Sequence, residues 1–383
     1  MMQERIQHVD EDRGITRVAL MRGDEELSRA LVVPMVMQLG TVQLRMDGIG
    51  GVATPEEHRN RGYSRRVLEA CVEYMTAGDA VVSTLYGIPH FYPKFGYATL
   101  GPESVITLLR LDERDVLPDG VRDRPGVPED LPSIQRLCRD ETRNAYGALV
   151  RDDEWWTWAE LERDLAADAE AIRVVERAGQ VVGYAARASG CWWMQHWERN
   201  EPGGLKVAEA FAADQDAAAA VLAAARRWAR ERGEQSVYLA IPRSCRVGAA
   251  SMFQSAHVTE RYYDEGEFMG RSTGLRPLMR ALVPELEFRW RPVSCSMPAF
   301  AITIVTEDER VTISGDERGI EVGSTRPGGV EVRLDPGQVA RLVFGGFDPE
   351  LVLERAGAPE PARPIMSVLF PRHVPYIYPL DRF

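Results

Sequence analysis

Arg59, Arg61, Arg65 and Arg66 crowd around Gly62 and Ser64 in a chain whose formal net charge is −12. Guanidinium groups concentrated against an acidic background suit an anion. Before them, Val52-Ala53-Thr54 reads as a strand end. After them the sequence takes up helical period, with Val67, Cys71, Tyr74 and Met75 on one face. A strand end, a short loop and a helix start expose several backbone N–H groups, and the helix dipole adds positive charge at the same place. Gly62 has no Cβ and lets the backbone approach a phosphate closely, while small Ser64 leaves room beside it. A diphosphate fits that description. The bare R-x-x-G-x-[GAS] string also fits a solvated helix start with basic residues.

The elements that must position this loop can be read around it. Ile15 to Leu20, Ala30 to Met37, Val42 to Met46 and a glycine-rich piece from Ile49 to Thr54 read as strands. A helix over 62–77 stops at Gly78, and Val81 to Tyr86 forms a further strand. The turn Gly87-Ile88-Pro89-His90 leads into the aromatic segment Phe91-Tyr92-Pro93-Lys94-Phe95-Gly96-Tyr97. At 112–130 the composition turns to Asp, Arg, Pro and Gly, which marks a boundary. A second block repeats a similar order: a helix over 130–143, a Trp-bearing helix from Asp153, a hairpin over 171–186, a helix near 215–232 and a strand over 236–241. A second boundary falls at Gly274-Leu275-Arg276. Strands at 299–305, 310–314, 319–323 and 330–334 follow, then helices at 337–343 and 349–354, then an apolar aromatic tail ending at Phe383. The expected spans are 1–124, 125–275 and 276–383, in an α/β (α+β) fold. The length of 383 residues suits several cores rather than one.

Strand, loop, amphipathic helix, strand and Phe-Tyr-x-x-Phe-Gly-Tyr, in that order, resemble the GCN5-related N-acetyltransferase (GNAT) superfamily. Val52-Ala53-Thr54-Pro55-Glu56-x-x-Arg59-x-x-Gly62-x-Ser64 resembles its acetyl-CoA motif. The whole chain resembles more closely the Eis-like (enhanced intracellular survival) branch. A second GNAT-like unit follows the first, with Leu149-Val150-Arg151-x-x-x-x-Trp156 like that family's helix start. The last block resembles a sterol-carrier-protein-like domain, and the chain ends in phenylalanine. The resemblance implies tandem GNAT folds, acetyl-CoA as co-substrate, no metal and a homohexamer. It implies that Val52, Ala53 and Thr54 bind the pantetheine arm through backbone. Asn60, Arg61, Gly62, Tyr63, Ser64 and Arg65 would hold the pyrophosphate, and Gly87 and Ile88 would line the cofactor. Tyr92 would be the general acid and the Phe383 carboxylate the general base. The family also begins with a strand and two helices, for which this chain has only Met1 to Arg13. The implied acceptor is a primary amine of a cationic small molecule, aminoglycoside- or polyamine-like. Protein lysines or N-termini, or silent acyl-CoA or lipid binding, remain alternatives.

Those roles are chemically consistent. A tyrosine titrates near 10 and a thiol near 8.5, so Tyr92 can be protonated and still donate. A terminal carboxylate near 3.5 is a weak base toward an alkylammonium unless burial or a neighbouring carboxylate raises it, or water relays the proton. Packing with Phe91 and Phe95 would equally explain Tyr92, and last residues commonly fray. The second block offers no phosphate loop. After Leu205 to Phe211 comes Ala-Ala-Asp-Gln-Asp-Ala, whose acids at the helix start repel a diphosphate.

Other chemistries fit less well. An acidic chain lacks the basic face of a general nucleic-acid binder. No apolar run reaches the roughly 20 residues of a membrane helix, and the charged start lacks the core of a signal peptide. Cys71, Cys138, Cys191, Cys245 and Cys295 are odd in number and far apart, which favours a reducing cytoplasm over disulfides or zinc. Gly270-Arg271-Ser272-Thr273-Gly274 matches a nucleophile-elbow string but lacks the parallel-sheet context. Cys191 to Trp197 has too few ligands for a metal. Its tryptophans, with Trp155, Trp156 and Trp158, suit a core or pocket wall. Asp152, Asp153 and Glu154 read as helix N-terminal acids, or as attraction for a cationic acceptor.

Overall fold

The structure is a computed structural model that describes residues 3–108, 116–153, 156, 171–187, 203–323 and 329–383. The chain divides into two compact units. Residues 1–102, 262–375 and 383 make the first, and residues 103–261 and 376–382 make the second.

The first unit opens as an antiparallel meander of β1 (Glu4–Asp10), β2 (Thr16–Arg22), β3 (Glu25–Leu39) and β4 (Val42–Ala53). Helix α1 (Tyr63–Ala77) then carries the chain to β5 (Val82–Gly87), which pairs parallel with β4. β6 (Ala98–Thr99) follows. Three of the four helix-face residues, Val67, Cys71 and Met75, pack with Val18, Leu20, Ala30, Val32, Ile49 and Leu85 in one core. Tyr74 is partly exposed, its hydroxyl within 3.0 Å of Thr16 Oγ1. β1 has no counterpart in the expectations for residues 1–13. Its charged edge-strand sequence hides the pattern, because only one face of an edge strand needs apolar residues. A 3-10 turn at Asp12–Gly14 joins it straight to β2, so the two helices that the resemblance implies do not occur between these strands.

In the second unit come β7 (Glu103–Leu108), β8 (Val121–Pro125), α2 (Leu131–Thr142), β9 (Tyr146–Leu149), β10 (Ile172–Arg177) and β11 (Gln180–Arg187). β12 (Leu205–Ala212), α3 (Gln215–Glu231), β13 (Val237–Leu239), α4 (Arg246–Ser251) and β14 (Ala256–Arg261) complete it. The sheet order is β14-β7-β13-β12-β11-β10-β8, and β12 and β13 are its parallel pair. β8 lies inside the stretch read as a boundary. It is held at the sheet edge by ions rather than apolar residues: Arg122 and Arg124 both reach Glu176, and Asp123 reaches Arg173. The Trp-bearing helix with Glu154, Trp155 and Trp158, and the segment Cys191 to Trp197, lie outside the described residues. Trp156 is buried, with the Arg151 guanidinium 4.9 Å from its ring centre.

The chain then returns to the first unit. β15 (Glu267–Ser272) inserts between β5 and β6, giving the order β1-β2-β3-β4-β5-β15-β6. The two sheets thus exchange a strand. β7 follows β6 in sequence yet lies between β13 and β14, while β15 follows β14 yet lies between β5 and β6. After it, α5 (Leu275–Ala281) and α6 (Val283–Trp290) precede β16 (Phe300–Val305), β17 (Arg310–Asp316), β18 (Gly319–Gly323) and β19 (Val330–Arg333), a sheet ordered β18-β17-β16-β19. α7 (Pro336–Phe344), α8 (Pro349–Arg355) and α9 (Arg363–Leu369) follow. From α6, buried Glu285 accepts from both the Thr41 N–H and its hydroxyl at 2.7 Å, tying this part to the β3–β4 turn. No described helix is long and apolar enough to cross a membrane.

Candidate active site

β4 and β5 run side by side only as far as the pair Gly48 and Thr84, although β4 continues to Ala53 and β5 to Gly87. Beyond that pair the register with β3 also shifts, between Arg29 and Leu31, and Gly51 adopts a φ of 56°. A bulge of this kind bends a strand and frees backbone groups from the ladder. Val52, Ala53 and Thr54 follow it, half-buried. Ser28 fixes their path by donating to the Ala53 carbonyl at 3.2 Å and lying 2.8 Å from Thr54 Oγ1.

The loop then turns twice through left-handed backbone, at Asn60 (φ 62°) and Gly62 (φ 77°). Gly62 is the N-cap of α1, and no side chain caps the helix start. The first-turn N–H groups, from Tyr63 through Arg65, therefore keep their donors for something outside the helix. Asn60, Arg61 and Arg65 are exposed and Ser64 is half-buried. Among the described residues Arg61 and Arg65 have no partner. Arg59 donates through Nε to the Thr54 carbonyl at 3.2 Å. Arg66 does not join the group around the loop mouth: it pairs with Glu4, on which Arg22 and the Tyr63 hydroxyl also converge. Hydrogen bonds from Arg22 and then Arg66 hold the Glu4 carboxyl down at about 2. Tyr63 is buried, and its contribution to the loop is its backbone.

At the end of β5, Gly87 permits a close approach. A Cβ there would lie 2.6 Å from Cδ2 of Tyr92. The Tyr92 ring packs on the strand end, edge-on to Phe91 at 5.1 Å and to Tyr97 at 6.2 Å. It begins the 3-10 turn Tyr92–Phe95. Burial raises its phenol above the ordinary value, so it stays protonated at neutral pH. Its hydroxyl has no partner among the described residues. Ile88 is 66% exposed beside it.

Phe383 reaches the other parted strand. Its ring fills the space over Gly48, where a Cβ would fall 2.2 Å from Cε2, and its carboxyl carbon lies 3.3 Å from the Cβ position of Gly50. Interior glycines weaken a strand and often mark a close approach of other chain. Gly50 is legible in the sequence only as part of the glycine-rich strand 49–54, and Gly48 lies outside every strand read there; the close approach of Phe383 is their use. Asp47, next to Gly48 but on the opposite face by strand alternation, went unnoticed in the sequence. It is half-buried, and burial raises its carboxyl to about 6. His58 was also missed. It is buried just ahead of the loop, with Nε2 3.0 Å from Glu25.

The nucleophile-elbow string gains no site among the described residues. Ser272 ends a strand that is antiparallel to both neighbours, and its hydroxyl donates to the Pro336 carbonyl at 3.4 Å. Cys71, Cys138 and Cys245 are buried, and burial pushes the Cys71 thiol up to about 12.

Residues 3–100 match the family described as acetyltransferase (GNAT) domain. No curated protein matches the chain. Among solved structures, a GCN5-related N-acetyltransferase from Kribbella flavida is similar over 96% of this chain and 87% of its own, at 18% identity and a TM-score of 0.68. A GCN5-related N-acetyltransferase from Anabaena variabilis covers 96% and 89%, at 17% and 0.70. Eis1 from Mycobacterium abscessus covers 96% and 91%, at 15% and 0.63. At such identities the likeness is one of fold: a mixed α/β chain with tandem GNAT-like sheets.

Proposed function

We propose that the first unit, whose residues 3–100 match the GNAT acetyltransferase domain, moves an acetyl group from acetyl-CoA to a primary amine of a cationic small molecule. One observation carries the reading: an uncapped helix start, with left-handed Asn60 and Gly62 before it, follows directly on a strand that has parted from its parallel neighbour. N–H donors of Asn60 through Arg65, with the Arg61 and Arg65 charges, suit a diphosphate. The freed backbone of Val52, Ala53 and Thr54, with Gly87 and Ile88 opposite, suits an extended amide-bearing arm. Acetyl-CoA would supply the thioester. The remaining steps belong to the chain and to the amine. The amine nitrogen forms the C–N bond as the C–S bond breaks. Tyr92 gives its phenolic proton to the departing sulfur, and the proton lost by nitrogen goes to the Phe383 carboxylate, directly or through water.

A net charge of −12 supports a cationic acceptor by long-range attraction. The sterol-carrier-like character of 276–383 and a hexameric assembly rest on the resemblance, the separate span 125–275 on the composition change before it, and a cytoplasmic place on the scattered cysteines; all belong to the same proposal. The test is release of free thiol from acetyl-CoA in the presence of a polyamine, an aminoglycoside and a lysine peptide. Release with the first two is expected. Release with the peptide alone would move the acceptor to protein, and none with any amine would leave a silent acyl-CoA binder. Tyr92→Phe is expected to lower kcat on the order of 10²-fold, the usual contribution of a general acid.

A further inference from the structure

We infer that Arg271 is a positioning residue for Tyr92: β15 and the residues just before it, from far along the chain, hold the segment that carries the proposed general acid at both its ends. The inference rests on the acetyltransferase reading and adds to it a residue to which no motif assigns this task.

At the leading end, the His90 N–H donates to the Glu265 carbonyl at 3.1 Å, and His90 Nδ1 lies 3.2 Å from the Glu265 carboxylate. Both residues sit in the left-handed region, with φ of 61° and 54°. Such backbone persists only where its surroundings hold it. At the trailing end, Arg271 Nη1 donates to the Phe95 carbonyl, the last of the 3-10 turn that begins at Tyr92. The same guanidinium lies 6.0 Å from the centre of the Tyr97 ring, whose hydroxyl is 2.7 Å from Ser83 Oγ on β5. Between the two ends, Met269 Sδ and the Tyr92 ring both close on Gly87.

The chemistry of Arg271 is what singles it out. Among the described residues no carboxylate pairs with it, and burial lowers its pKa. A half-buried cation without a counter-ion is costly. Here the charge faces the Phe95 carbonyl, the neighbouring Ser272 carbonyl at 3.2 Å and the Tyr97 ring, with Asp308 the nearest carboxylate influence. The terminal carbonyls of a short helix have no partner of their own, and a basic side chain is a natural cap for them. Without Arg271 the Phe95 carbonyl is orphaned and the turn is free to unwind from its C-terminal end, taking the Tyr92 ring off β5. A misplacement of about 1 Å is enough to lose on the order of 10²-fold in rate.

The experiment is a double-mutant cycle on the full chain, with acetyl-CoA as donor and the best amine of the wild type as acceptor. Arg271→Met is expected to lower kcat about 10- to 100-fold. The KM for acetyl-CoA should stay within about twofold, because the pyrophosphate grip is built from other residues. Arg271→Lys, which can still reach a carbonyl, should recover part of the loss. In a Tyr92→Phe background the Arg271→Met loss should vanish, since the residue acts through the phenol. An undiminished loss in that background, or a loss carried by KM, would overturn the inference. If Arg271→Met fails to fold, Arg271→Lys and Arg271→Gln run the same cycle. Failure of the underlying reading looks different: either the wild type releases no thiol, or Tyr92→Phe keeps full kcat, and each takes the inference down with it.

Discussion

The two GNAT-like sheets place a helix after the same kind of strand, and they finish the helix start in opposite ways. In the first unit β4 is followed by a loop over residues 54–62, two left-handed residues and an uncapped helix. In the second, β12 is followed almost at once by Asp214, whose Oδ1 accepts from the Ala217 N–H at 2.9 Å while its carboxylate pairs with Arg177 at 2.6 Å. One helix start is left for an external anion, and the other holds an internal one. A cap such as Asp214 stabilises a helix by about 1 kcal/mol, so leaving α1 open forgoes that stability, as the proposed anion site would require. The difference teaches where to look for the cofactor: the unit that declines to satisfy its own backbone.

The contrast extends along the strands. β4 bears Gly48 at its last parallel pair and Gly50 beyond it, with Phe383 over both. β12 past its last pair bears Glu209 and Phe211, both fully buried. Arg151 bridges Glu209 and Asp381, the Tyr184 hydroxyl donates to Glu209, and Tyr378 stands edge-on to Phe211 at 4.9 Å. Tail residues 376–382 and an ion cluster occupy this side of β12. Breaking that cluster should give the largest effect. Arg151→Met leaves two buried carboxylates without their cation and should destabilise the second unit by about 3–5 kcal/mol, seen as loss of its transition in denaturant. An unchanged transition would mean that the region is hydrated and the two sheets differ less than described.

A smaller but more pointed change makes the first unit imitate the second. Nothing lies within 4 Å of a Cβ at Gly62, so Gly62→Asp has room to place a carboxylate at the α1 start. It should raise the Kd for CoA about 10- to 100-fold, the loss of one or two charge-assisted contacts at about 1.4 kcal/mol per tenfold. Gly62→Asn carries the same backbone strain at φ 77° without the charge, and should change Kd no more than about threefold. Equal losses in the two variants, read by calorimetry, would assign the effect to strain and remove the anion site from the comparison.

Much of this contrast was legible in residue order. The Arg59–Ser64 loop, the period of α1 and the two acids after Phe211 are local signals, and each falls at the strand–loop–helix position read for it. Arg66 reads as part of the loop's charge because its partner, Glu4, lies on a strand with no apolar signature. β8 reads as linker because its cross-strand ion pairs look like a charged loop in one dimension. The strand exchange was out of reach. β7 and β15 have ordinary strand composition, and nothing local says which sheet an apolar strand completes. The same limit hid Arg271, whose role depends on a carbonyl 176 positions away in sequence. Gly48 and Gly50 were visible as glycines, but their meaning depends on the last residue of the chain.

The smallest expected effect tests the other half of the comparison. Asp214→Ala removes the cap from α3 and the partner from Arg177. The pair is substantially exposed, so the cap dominates the loss, and the second unit should lose about 1 kcal/mol. The sign with pH follows from the carboxyl, which Arg177 first and the Ala217 N–H second hold below its ordinary value. A lowered folded pKa contributes stability above the unfolded value, so the gap between wild type and variant should be full at neutral pH. It should close as pH falls through and below about 4. CoA affinity and kcat should not move, because α3 is the helix start that already holds its own anion. Thermal melts at pH 7 and pH 3, alongside thiol release at pH 7, measure both halves. A variant that loses CoA affinity would place a cofactor contribution in the second unit and end the division of labour inferred from the two helix starts.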